Sequence, residues 1–182
     1  MSIEKKYELT EESKQVHILR FGMEYTHTLY RIRALRNFSN VKAGDLGGFI
    51  KKEDNLSHEG DCWVYDDAQV YGDARIYENA LVSGKAEVYD DVRVYENALI
   101  GDRAQIYGNA EIFGDARVYD NAWVSGSADV FDNAQVYGDA WVHDFAEVSG
   151  KARVHGDVLV CDNARISGNT EISKGAYGYV YG

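Results

Sequence analysis

His143 and Cys161 are the two side chains whose types and spacing suit covalent chemistry. They stand eighteen residues apart, and an aspartate follows each, Asp144 and Asp162. An imidazole beside a thiol can act as base and nucleophile, and with carboxylates nearby the same groups make half a metal site. Nothing completes a triad or a four-ligand set around them. The plainer reading is therefore two surface residues, and no metal is expected. His155 has Tyr137 and Ser173 as its equivalents at the same spacing and is a weaker candidate. Gly44-Asp45-Leu46-Gly47-Gly48 has the glycines of a phosphate loop but no following Lys-Ser/Thr, so it reads as a turn into the next element.

The same interval relates two apolar series. Trp63, Leu81 and Leu99 form one, and Trp123, Trp141 and Leu159 the other. Apolar side chains placed side by side on a surface make a patch that monomers seldom leave bare, and tryptophan is a favoured interface anchor. These six are the candidate partner-binding residues. The alternative is that segments of the same chain cover both series.

What positions them is a six-residue repeat. From Gly60 the sequence runs GDCWVY DDAQVY GDARIY ENALVS, and the frame holds to Ser173 through nineteen hexads. The fifth position is always Val or Ile, and the third is Ala in fifteen. Positions 3 and 5 share parity, so on a strand they face one side while 4 and 6 face the other. A β-branched residue fills a core, a small one suits a crowded corner, and Gly, Asp or Asn at positions 1 and 2 tolerates a left-handed turn. Each hexad is thus a short strand and a corner. Three hexads per coil sort the fourth positions into a wholly charged column and two with apolar blocks. A Gly/Asp alternation of twelve residues leaves a flattened two-sided coil as the alternative. The expectation is a single-stranded left-handed parallel β-helix of triangular 18-residue coils, about six of them, with an irregular N-terminal β cap.

Three segments follow: a cap and lead-in at 1–59, the solenoid at 60–173, and a cap strand at 174–182. Asp54-Asn55-Leu56-Ser57-His58-Glu59 resembles a degenerate hexad, which allows an earlier start. Thr28–Leu35 alternates like a strand. Residues 1–59 hold ten basic and nine acidic groups, while the remainder holds nine and twenty-one. Arg31, Arg33 and Arg36 can therefore dock the cap on an acidic prism. A net charge of −11 speaks against general nucleic-acid or anionic-membrane binding. No apolar run approaches the ~20 residues of a membrane span, and no signal peptide is evident. Two cysteines make no disulfide framework, and a cytoplasmic location is expected.

The repeat resembles the hexapeptide-repeat left-handed β-helix family. Val118-Tyr119-Asp120-Asn121-Ala122 carries its aliphatic and small positions, although Tyr stands where the family often has Gly. The lead-in Val41–Ile50 with Cys62-Trp63-Val64 is similar to the YdcK-like β-solenoid subgroup, whose relatives are common in bacteria and their phages. The resemblance implies trimers and, in many members, acyl transfer from acyl-CoA with a histidine base and a loop protruding from a coil. No insertion interrupts Gly60–Ser173, so that loop is missing there. The leading expectation is a non-catalytic oligomeric binding or scaffold module, phage-associated in the sense of those relatives. Its partners would be its own copies, a protein or a small ligand, with no cofactor. An acyl-CoA-dependent acyltransferase using acetyl-CoA is the alternative.

Cys62 and Cys161 lie about five and a half coils apart, roughly 26 Å at ordinary strand spacing. A disulfide needs Cα atoms within about 7 Å. Non-reducing peptide mapping should find no bond between them within one native chain.

Overall fold

The structure, a computed structural model, describes residues 4–20, 22–173 and the backbone of 179 and 180. From Trp63–Val64 to Glu171–Ile172, every hexad supplies a two-residue strand from its fourth and fifth positions. Each strand pairs in parallel with the one eighteen residues on, as Leu81 does with Leu99 and Trp123 with Trp141. The strands sort into three sheets of ten, seven and six strands. The coil is therefore three-sided, and the twelve-residue alternative fails. The fold is an all-β solenoid of about seven turns.

The pleat turns positions 3 and 5 inward. Alanines such as Ala110 and Ala122, and the β-branched Ile106, Val124 and Val142, are fully buried in one continuous core. Fully burying a Val or Ile side chain contributes about 1.5–3 kcal/mol, and the core repeats that contribution coil after coil. The first position takes a left-handed backbone, with φ of 53° at Asp66 and 57° at Glu78. Acidic residues do more there than tolerate the turn. The amide of Gly84 donates to Asp66 Oδ2 at 3.0 Å, that of Glu96 to Glu78 Oε2 at 2.9 Å, and that of Gly150 to Asp132 Oδ2 at 3.0 Å. Each carboxylate thus pairs a backbone amide of the following coil. At the second position, Asn79 donates to Asn97, and Asn97 to Asp115, both at 3.2 Å.

Sixth positions form ring ladders along the edges. Tyr77, Tyr95, Phe113 and Phe131 stack at 4.9, 5.0 and 4.9 Å between centroids. Tyr71, Tyr89 and Tyr107 stack at 4.9 and 5.3 Å. Not every sixth position is exposed: Ser125 is buried, because the Trp141 indole lies over it and donates to its Oγ at 3.2 Å.

The parallel stack begins before Gly60, which adds a coil to the expected six. In strand β3 (Leu46–Ile50), Phe49 and Ile50 pair with Gln69 and Val70, and Leu56 bridges Ile76. These partners are twenty residues apart rather than eighteen. The two extra residues fall between Leu56 and Val64, so one corner is wider than the rest. Gly47 and Gly48 have a steric role in β3: a Cβ on Gly47 would stand 2.5 Å from Val64 O, and one on Gly48 2.5 Å from Ala68 O. The glycine-rich stretch is thus a packing device.

Strands β1 (Tyr7–Arg20) and β2 (Met23–Ala34) form an antiparallel hairpin that extends the ten-stranded sheet beyond β3. Its Leu29 packs with Phe49 and Tyr71, and Val16 and Ile18 lie against them. Arg31 joins hairpin to prism: it donates to Gly47 O at 2.9 Å and Asp66 O at 3.2 Å, and pairs with Asp67 at 3.4 Å. Arg33 instead pairs with Glu8 inside the hairpin, and Arg36 reaches His58 O at 3.4 Å. At the far end, Tyr179–Val180 pairs in parallel with Leu159–Val160. The rest of the expected C-terminal cap lies outside the described residues. Among the described residues, no helix is long and apolar enough to cross a membrane.

Ile106→Asp places a carboxylate in the buried core and should abolish the cooperative melt. Gln105→Lys, on the outward neighbour, should change stability by about 0.5 kcal/mol or less. Thermal denaturation followed by circular dichroism compares them, and equal loss in both would overturn the assignment of inward and outward positions.

Candidate functional site

Two regions of the prism carry unusual side-chain arrangements. The first is the outward surface of the ten-stranded sheet in its later coils. Gln69, Glu87 and Gln105 give way there to Trp123, Trp141 and Leu159, stacked in register. The two indoles meet edge to face at 5.7 Å and are 39% and 38% exposed. The adjacent Phe145 is 63% exposed. Asn121 and Asp139 flank the pair, so an apolar centre has a polar margin. The other apolar series is placed differently. Trp63 is 1% exposed beneath the cap, with Phe38 at 5.3 Å and Tyr7 at 6.1 Å between centroids. Leu81 and Leu99 stay half-buried. The cap, through Tyr7 and Phe38, therefore covers the start of the first series, while Trp123 and Trp141 stay exposed.

His143 and Cys161 sit at the edge of this face in adjacent coils, as the pairing of Val142 with Val160 requires. His143 leans on the Trp141 indole at 4.8 Å, and its Nδ1 lies 2.9 Å from Asp144 Oδ2. The Asp162 amide, then the His143 ring, holds the Asp144 carboxyl below the usual range. Burial pushes the Cys161 thiol up, and the carboxylates of Asp162 and Asp144 add to the effect. An activated cysteine needs the opposite, electropositive setting. His155 stacks on Tyr137 at 4.5 Å and meets Glu171 at 3.1 Å. Among the described residues, no three His, Cys, Asp or Glu side chains are grouped to hold a metal.

The second region is the widened corner between Leu56 and Val64, which the repeat frame did not reveal. Its signal was present in the sequence as eight residues between inward aliphatics instead of six. A longer corner turns carbonyls inward, and Lys6 meets them. This fully buried lysine donates from Nζ to Cys62 O at 2.8 Å and Gly60 O at 3.3 Å, and lies 3.2 Å from Cys62 Sγ. Desolvation lowers the Lys6 pKa, and burial raises that of Cys62. Asn55, also fully buried, donates to Ala74 O at 2.8 Å. His58 stacks on Tyr7 at 4.4 Å, and its Nδ1 accepts the Lys6 backbone amide at 3.2 Å. The proton of the neutral ring is therefore on Nε2, which points to Glu53 Oε2 at 3.7 Å. Burial pushes the His58 pKa down, against the pull of Glu53. An open cleft of about 610 Å³ lies alongside, bordered by Glu53, His58, Arg75, Tyr77 and Arg93.

Residues 68–84 and 110–126 match the model of the YdcK beta solenoid repeat. Both stretches lie inside the three-sided stack. Over those two stretches the chain is similar to the YdcK repeat. It is 39% identical over 62 residues to a protein of Escherichia coli K12 named uncharacterized acetyltransferase YdcK. That match covers 34% of this chain and 19% of the relative, so the chain spans about a fifth of the curated protein it matches. In this solenoid, the wide corner and the tryptophan pair occupy different faces and opposite halves of the stack.

The His58 setting implies a pH dependence of stability. Its folded pKa lies below the unfolded value of about 6.5, so the unfolded chain takes up the proton first. Stability should fall as pH drops through that value toward the folded pKa. His58→Asn keeps an acceptor near the Lys6 amide but cannot titrate, and it should flatten the slope of stability against pH in that window. Urea titrations at stepped pH measure it. An unchanged slope would mean that other groups, such as His27, carry the dependence.

Proposed function

We propose that the chain is a non-catalytic β-solenoid module that assembles with copies of itself through the Trp123–Trp141 face. The observation that carries this reading is the exposure of two indoles in edge-to-face contact, with Leu159 beyond them, on a sheet whose outward positions in the preceding coils, Gln69, Glu87 and Gln105, are polar. Removing such side chains from water is favourable, and aromatic anchors ringed by polar groups are how interfaces concentrate their binding energy. Closed symmetric assembly puts the same face of every copy into contact, which suits a patch confined to one side of a prism. The family resemblance makes a trimer the expected closed form. A protein partner or a small ligand held between copies fits the same arrangement.

A second reading, acyl transfer from acetyl-CoA, draws on the printed name of the Escherichia coli relative and on the wide corner, where His58 and Glu53 border an open cleft. Within the coils, Cys161 and His143 lack the electropositive setting that would activate the thiol.

Solution mass by light scattering should exceed that of one chain at micromolar concentration. Trp123→Glu with Trp141→Glu should lower the mass while the β-sheet circular dichroism stays unchanged. A monomeric wild type overturns the assembly, and an unchanged mass in the folded double variant moves the interface elsewhere. A thermal shift with acetyl-CoA that disappears in His58→Asn would favour the second reading.

A further inference from the structure

We propose that the break in the ring ladder on the seven-stranded face is a binding slot for a small planar aromatic anion. The sixth positions on this face run Tyr65, Ser83, Gly101, Tyr119, Tyr137 and His155. The later rings stack normally, at 4.9 Å for Tyr119–Tyr137. Between Tyr65 and Tyr119 two rungs have no ring. The interval is three coil spacings, roughly 14 Å at the usual distance between paired strands. Two planar groups at the ladder's own pitch would complete it.

The other break in a tyrosine ladder is closed differently. On the ten-stranded face, Tyr107 is followed by Ser125, and the Trp141 indole folds over that serine and bonds to it. No described side chain does this at Ser83 and Gly101, which remain half-exposed beside an open cavity of about 500 Å³. Nor does the backbone impose the small residues. Gly101 is not among the glycines with a left-handed φ, and a Cβ there would meet only Ser83 Oγ at 3.5 Å and Tyr119 Cβ at 3.9 Å. These are ordinary contacts, so a ring would fit where none stands.

Floor and rim give the ligand its chemistry. Leu81 and Leu99 form a half-buried apolar floor, suited to the edge of an aromatic ring. Tyrosine faces at both ends suit stacking. Arg117 stands at the rim in register between Leu99 and Gln135. Two arginines of the six-stranded face pair with glutamates in the neighbouring coil, Arg93 with Glu111 and Arg165 with Glu147, both at 3.1 Å. Arg117 has no carboxylate partner among the described residues. The nearby Asp66 already accepts the Gly84 amide. A guanidinium of this kind recognises a carboxylate or phosphate on the ligand's edge.

The test uses the full chain and two probes of equal ring size, 2-naphthoate and the neutral 2-naphthalenemethanol, titrated by calorimetry. Saturable binding of 2-naphthoate by the wild type is expected. Ser83→Tyr with Gly101→Tyr restores both rungs. It should melt at a higher temperature and bind both probes at least about tenfold more weakly. Arg117→Gln, on an exposed position with no fold to disturb, should weaken 2-naphthoate and leave 2-naphthalenemethanol unchanged. No saturable binding to the wild type at millimolar probe overturns the proposal. So does wild-type affinity in a folded Ser83→Tyr, Gly101→Tyr chain. Equal loss of both probes in Arg117→Gln, or loss of neither, removes the anion from it.

Discussion

Most backbone amides at the second, fourth and sixth positions of the hexads are answered by a carbonyl one coil away, and that requirement governs almost everything else in the molecule. Tyr65 N reaches Val82 O at 2.7 Å, Gln105 N reaches Ala122 O at 3.0 Å, and Glu147 N reaches Ala164 O at 2.8 Å. A strand of two residues has no stability of its own. It exists because coils of equal length keep the donors and acceptors of three walls in register together. The inward Val and Ile, the corner carboxylates and the ring ladders all follow from that equality, since each meets its own kind eighteen residues on.

Where the equality is broken, the molecule supplies a replacement. Two additional residues before Val64 misalign one corner, and its carbonyls are met by the ammonium of Lys6 from outside the repeat. An ammonium offers three donors and no acceptor, which matches a group of carbonyls facing inward. Burying it costs desolvation, visible as the lowered pKa of Lys6. Tyr7 takes a similar part, donating its hydroxyl to Leu56 O at 2.7 Å and Glu53 O at 2.9 Å. The cap is thus bound chiefly by polar groups that complete an imperfect coil, with Phe38 and Trp63 supplying the apolar seal.

The periodic part of the fold was legible in the sequence because one physical environment recurs there nineteen times. Inward and outward parity, the three walls and the register of Trp123 over Trp141 could all be read from spacing. The widened corner was not, because it lies outside the regular frame and its key contact comes from Lys6, more than fifty residues away. The role of the Trp141 indole was hidden for a related reason. Parity says which face a side chain leaves from, but not that a large one will bend over a small neighbour. His143 and Cys161 were placed correctly in adjacent coils with their aspartates, while the burial that chiefly raises the thiol's pKa could not be read from spacing.

The three-hexad coil also restricts how such a chain can change in length. The core does not distinguish one hexad from the next, since each offers the same small and β-branched pair. The surface does. Gain or loss of a single hexad would leave the interior packed, yet it would carry every later residue around to the adjoining wall. Trp123 and Trp141 would then leave the face they share with the hairpin, and Tyr119 would no longer stand opposite Tyr65. Insertions and deletions in multiples of eighteen preserve both the interior and the address of each surface group. Shorter ones keep the fold and redistribute its faces.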